Sequence, residues 1–151
     1  MKKLSSVFYM WVGLGFGLLA VLMMFVPFVK MSGDILAAKE LFFGDRAYGG
    51  NSGGAWPSFV GFMLILVGAL MMGVMALPMI QPSAQTEKIV LISAGALFLV
   101  GGVLVGLIHV LYEANGGFAP YLDNYCAGYF LALSFTAVAI AMDVMALVLD
   151  W

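Results

Sequence analysis

Four long apolar stretches constrain the fold more than any other feature of this sequence. Residues 7–29 and 56–80 carry no charged residue, 89–112 carry only His109, and 125–149 carry only Asp143. Crossing roughly 30 Å of hydrocarbon as a helix takes about 20 residues, and each stretch reaches that length. Backbone N–H and C=O groups find no water inside a bilayer, so a spanning segment must be a helix or part of a closed barrel. The stretches are continuously apolar rather than alternating, which selects helices. Hydrophobic residues make up 64% of the 151 residues and charged ones 9%. A water-facing domain usually has about 25% charged residues. The expectation is a single all-α membrane domain over 1–151, an up-down bundle of four transmembrane helices.

Breaker residues set the expected joints. Pro27 falls in the last turn of the first stretch, and Pro78 and Pro82 close the second. Asn115-Gly116-Gly117 and Pro120 follow the third, and Asp123 or Asn124 offers a cap for the fourth. The loops are then 30–55, 81–88 and 113–124. Pro27-Phe28-Val29-Lys30 gives no small-x-small cleavage site, so the first stretch is expected to stay in the protein.

Lys2, Lys3 and Lys88 lie in short segments on one side, and Lys30, Lys39 and Arg46 in a longer loop on the other. The leading lysine pair places both termini in the cytoplasm of a cell-membrane protein. In the long outer loop, Ser32-Gly33-Asp34 offers a helix start and Gly44 a stop. Ile35, Leu36, Phe42 and Phe43 recur near helical spacing between them, which predicts a short amphipathic helix. Tyr48 to Gly54 reads as a flexible tether.

Small residues mark the helix faces. The fourth helix has the stripe Tyr125, Tyr129, Ala132, Thr136, Ala139, Asp143, Ala146, expected to face the other helices and keep the carboxyl out of lipid. The third has Gly95, Phe98, Gly102, Gly106, His109 and Glu113. Gly13 with Gly17, Gly102 with Gly106, and Ala69 with Gly73 are small-xxx-small pairs, expected to pack within the chain. Met71, Met72, Met75 and Met79 read as packing residues rather than a metal site.

Three residues are candidate intramembrane polar sites: Asp143, His109 and Glu113. Four-residue spacing predicts a His109–Glu113 pair at the outer surface. Asp143 falls in the inner half, on the order of 20 Å from His109 at ~1.5 Å per residue, so the two are not expected to share a proton. Ser93, Tyr9, Trp11 and Lys88 are the expected inner partners of Asp143. The lone Cys126 excludes an intrachain disulfide, a CxxC redox pair and a multi-thiolate zinc site. No nucleophile elbow, phosphate loop or HExxH motif appears, and no basic run points to nucleic acid.

The order of helices and loops, with a long first outer loop and a shorter second one, resembles the claudin-like tetraspan plan. The outer-loop signature of that family, Trp, Gly-Leu-Trp and paired Cys, is not in this chain. Gly44-Asp45-Arg46 and Ala55-Trp56-Pro57 resemble a type of small uncharacterised four-helix membrane protein of Gram-positive bacteria. The resulting expectation is a non-enzymatic accessory or scaffold protein without cofactor or metal. It would bind a membrane-protein partner or a second copy through its outer loop or glycine faces, with lipid around it. The alternative is a small oligomeric transporter or channel using Asp143.

Overall fold

The computed structural model describes residues 4–31, 33–42, 54–116 and 122–149. The chain is mostly helical. Four helices are long and apolar enough to cross a membrane: α1 (Leu4–Leu22, extended to Phe25 by a 3-10 turn), α3 (Trp56–Ala76), α4 (Ala84–Gly106) and α6 (Ala127–Leu149). Between them lie β1 (Pro27–Met31), β2 (Asp34–Ala37), α2 (Ala38–Leu41), α5 (Ile108–Gly116) and β3 (Leu122–Tyr125). Helix α1 packs on α3 and α6, and α4 packs on α3 and α6, so the four close in the order α1-α3-α4-α6. Large apolar side chains cover the outside, among them Phe8, Val67, Leu70, Ile92, Leu99 and Val148.

The ends differ from the expected ones for local reasons. The first helix stops before Pro27, not after Val29. Proline has no N–H for the helical ladder and drives the preceding residue extended. Val26 accordingly sits at φ −93°, ψ 152°, its N–H closing a tight turn on the Met23 carbonyl at 3.1 Å. The second helix stops at Ala76, and Leu77, next to Pro78, is extended at ψ 133°. The third starts at Ala84, five residues earlier than expected, because the Ser83 hydroxyl accepts the Thr86 N–H at 3.2 Å as an N-cap. The fourth starts at Ala127, because Asn124 and Tyr125 belong to a strand.

In the first long loop the expected amphipathic helix is shortened, because Asp34–Ala37 is a strand. Strands β1 and β2 form a hairpin in which Met31 pairs with Asp34, and Gly33 in its turn takes φ +89°. Among the described residues one turn of helix, α2, follows; the Ala37 N–H donates to Glu40 Oε2 at 2.6 Å at its start. Lys39 Nζ sits 5.5 Å from the centre of the Phe25 ring, within cation–π reach. The expected stop at Gly44, most of the tether, Arg46, Lys2, Lys3, Pro120 and Gly117 lie outside the described residues.

The second outer loop completes the sheet. Strand β3 pairs antiparallel with β1, giving the order β2-β1-β3 with β1 in the middle. A register shift between Pro27 and Val29 lets two successive residues, Phe28 and Val29, both face inward with no exposure. Phe28 stands edge-on to Phe62 of α3 and Tyr129 of α6, with ring centres 6.0 and 5.5 Å apart. Phe42 joins Phe59 and Phe62 at 5.4 and 5.7 Å. The sheet is therefore seated on the helix ends by an aromatic cluster.

Candidate functional site

The half of the helices away from the sheet is organised around Asp143. The buried face of α6 is Gly128, Ala132, Thr136, Ala139, Asp143 and Ala146, at steps of four or three. This is the stripe expected to turn inward, except that Tyr125 and Tyr129 remain half-buried at its outer end. Asp143 is 2% exposed, and its Oδ1 has no hydrogen-bond partner. Its Oδ2 lies against Gly95 of α4: a Cβ at Gly95 would stand 2.6 Å from that oxygen. Gly95 thus forms the notch that admits the carboxyl. The expected partners do not reach Oδ1. The Ser93 hydroxyl donates to the Ile89 backbone carbonyl of its own helix at 2.8 Å, and Trp11 is 47% exposed. Ser6 Oγ donates instead to the Ala146 carbonyl at 3.3 Å, tying α1 to α6.

At the other end, α4 and α5 are separated by Leu107, at φ −90°, ψ 13°. No proline causes this break. The Leu104 carbonyl beside it accepts the Ser58 hydroxyl of α3 at 2.8 Å, and the Gly106 carbonyl accepts the Tyr129 hydroxyl of α6 at 2.9 Å. Hydroxyls from neighbouring helices commonly take up backbone groups at such breaks in apolar surroundings. Tyr129 also stacks on Tyr125 of β3 at 3.9 Å, so the sheet is linked to the break through one side chain. Just beyond, buried His109 places Nε2 3.3 Å from Oε1 of half-exposed Glu113, out of line for a hydrogen bond. Gly95, the neighbour of Asp143, precedes His109 by about 20 Å of helical rise at ~1.5 Å per residue. The structure therefore joins His109 with Glu113 and separates both from Asp143.

The predicted glycines fall on two kinds of seam. Gly17 meets Ala69, Gly13 meets Met72, and Gly73 meets Leu14, so the two small-residue pairs of α1 and α3 pack against each other. A contact between two helix backbones was not foreseen: a Cβ at Gly61 would lie 2.8 Å from the Gly101 carbonyl, and one at Gly101 2.6 Å from the Gly61 carbonyl. There α3 and α4 touch backbone to backbone. Gly102 and Gly106 lie on the α4–α6 seam and meet only side-chain tips, Thr136 Cγ2 at 3.2 Å and Leu133 Cδ2 at 3.6 Å from a built Cβ. Ala139 is fully buried.

Met71 and Met75, with Val67, Leu70, Val74 and Val90, line an apolar groove of about 350 Å³ between α3 and α4, while Met79 is exposed. Among the described residues, no three of His, Cys, Asp or Glu gather as metal ligands. Two separate polar points result: a lone carboxyl in a glycine notch, and a His–Glu pair toward the end of the helices that bears the sheet. No protein-family model, curated protein or solved structure matches this chain.

Proposed function

We propose that the chain is a four-span accessory protein of the cell membrane, non-enzymatic, with both termini in the cytoplasm. Its helices form an up-down bundle, arranged like a claudin-like tetraspan protein, and its outer sheet offers the docking surface for a membrane-protein partner. The observation that carries this reading is the sheet itself. Segments far apart in sequence, 27–37 and 122–125, join one three-stranded unit seated on Phe28, Phe62 and Tyr129. Such a platform is held in one conformation before any partner arrives, which lowers the ordering cost of binding. Ile35 of β2 is 61% exposed there, an apolar contact point outside the long apolar helices.

Lipid covers the helices in this reading. Their exposed valines, leucines and isoleucines would be costly in water at about 25 cal/mol per Å². The charge pattern supports the orientation, since the inner segments are short and carry Lys88 beside the α4 start. Tagged chain purified in mild detergent tests the role. A reproducible membrane partner should accompany the wild type and be lost with Ile35→Glu. Recovery of this chain alone from repeated preparations would refute it.

A further inference from the structure

We infer that the α4–α6 seam is a docking site for a transmembrane helix of another protein, one that carries a single basic side chain at the depth of Asp143. This deepens, and rests on, the reading of the chain as a membrane accessory protein.

Two independent observations meet at this seam. The first is uneven packing. Helices α1, α3 and α4 are locked by contacts in which an added Cβ would strike backbone or a tightly packed neighbour at 2.6–2.8 Å, as at Gly17, Gly61 and Gly101. Along α4–α6 the contacts are with side-chain tips, and at Gly95 nothing but the Asp143 carboxyl lies within 4 Å. Dispersion falls off steeply with small gaps, so this seam is more loosely packed than the α1–α3 and α3–α4 seams. The second observation is the carboxyl itself. It is 98% buried by its 2% exposure, points at Gly95, and leaves Oδ1 without a partner. An Asp at such depth costs roughly 2.5–3.5 kcal/mol on insertion scales unless something satisfies it.

The face of α4 beside the notch is prepared for a neighbour. Ile92 and Leu99 are 58% and 57% exposed, and they flank Gly95 at steps of three and four. Gly102 and Gly106 continue the same face, and small residues let a second backbone come close. Charge complementarity selects the occupant. Among the described residues the four long helices hold one Lys or Arg, Lys88, which lies seven residues and ~10 Å of rise below Gly95, so a second copy brings no cation to this depth. A helix from another protein with one Lys or Arg does, and its long stem reaches through the notch while its backbone lies along Ile92, Gly95 and Leu99.

The test uses the full chain in phosphatidylcholine vesicles, with a fluorescent donor after Trp151. Its probes are synthetic Leu-Ala transmembrane peptides bearing an acceptor. One peptide carries a Lys about six residues from its inner end, matching ~9 Å of rise between Asp143 and Leu149. Others carry it at mid-span or not at all. Energy transfer should show the matched peptide binding about tenfold tighter than the lysine-free one, in the upper range of interhelical polar contacts. Asp143→Asn should erase that preference, and the mid-span Lys should lack it. The depth comparison uses only wild-type protein, so it decides the matter even if the variant misfolds. Equal binding of all three peptides overturns the proposal, as does a preference that survives Asp143→Asn. A proton or sodium flux through the chain alone that Asp143→Asn abolishes also overturns it, in favour of transport. The outer-sheet purification is unaffected by these outcomes, so failure here leaves the accessory reading to its own test.

Discussion

Glycine 101 and glycine 15 are both in helices and both in apolar runs, yet they should respond oppositely to one methyl group. A Cβ at Gly101 meets the Gly61 carbonyl at 2.6 Å, whereas one at Gly15 meets nothing within 4 Å. Gly101→Ala is expected to lose about 1–3 kcal/mol through overpacking. Gly15→Ala is expected to gain up to ~1 kcal/mol from reduced backbone freedom. Thermal unfolding in detergent would show the ordering. At the notch, Gly95→Ala should destabilise the protein, and adding Asp143→Ala should recover most of the loss, because the clash is with a side chain that the second change removes. Additive losses in the double variant would contradict that geometry. These residues also show what the sequence reveals at this scale. Small residues on a helix announce that something comes close, but not what. Gly101 and Gly102 are neighbours in sequence and about 100° apart around the helix. Only the placement of α3 decides which of them touches backbone. Asp143 was legible as inward-facing because its stripe of alanines and Thr136 leaves no other economical orientation, but its contact with Gly95 depends on how α4 is rotated.

The element scale turns on the break between α4 and α5. Tyr129→Phe removes the hydroxyl on the Gly106 carbonyl, and Ser58→Ala the one on the Leu104 carbonyl. Each should cost about 0.6 kcal/mol and at most ~1.7, the range found for polar contacts between membrane helices. Their effect should be local: faster amide hydrogen exchange over 107–116, with α1 and α3 unchanged. Uniform change along the chain would mean that the hydroxyls support the whole packing instead. The four long helices were readable because twenty apolar residues admit no other backbone solution in hydrocarbon. Their ends were less so. Pro27 and Pro78 end their helices sooner than hydropathy does, since hydropathy ignores the missing N–H and the preceding residue's restriction. The outer loop was misread because Ile35, Leu36, Phe42 and Phe43 suit both a helix and a strand pair over so short a span. The Ser32-Gly33 dipeptide carried the better signal, a turn. The pairing of β3 with β1 left no local trace, since it joins segments separated by four helices, α2 to α5.

At the scale of the molecule, the orientation of the apolar slab is the statement most directly open to measurement. With Cys126 replaced by Ser, single cysteines at Lys39 and Gln85 stand in exposed positions at opposite ends of the long helices. A membrane-impermeant maleimide should label Lys39→Cys on intact cells and Gln85→Cys only after permeabilisation. The opposite pattern would invert the topology proposed from the lysines.

The central position of β1 has one more implication, for how the protein is made. Strand β1 leaves the ribosome directly after α1, and β2 can cover one of its edges at once. The other edge waits for Leu122–Tyr125, after α3, α4 and α5 have been synthesised. Throughout that interval the half-built chain displays a row of unpaired amides and carbonyls, the kind of border that recruits stray strands. Arrival of β3 seals it. A cell inspecting this protein therefore has a ready mark of incompleteness: a bare strand border that disappears when Leu122–Tyr125 is in place.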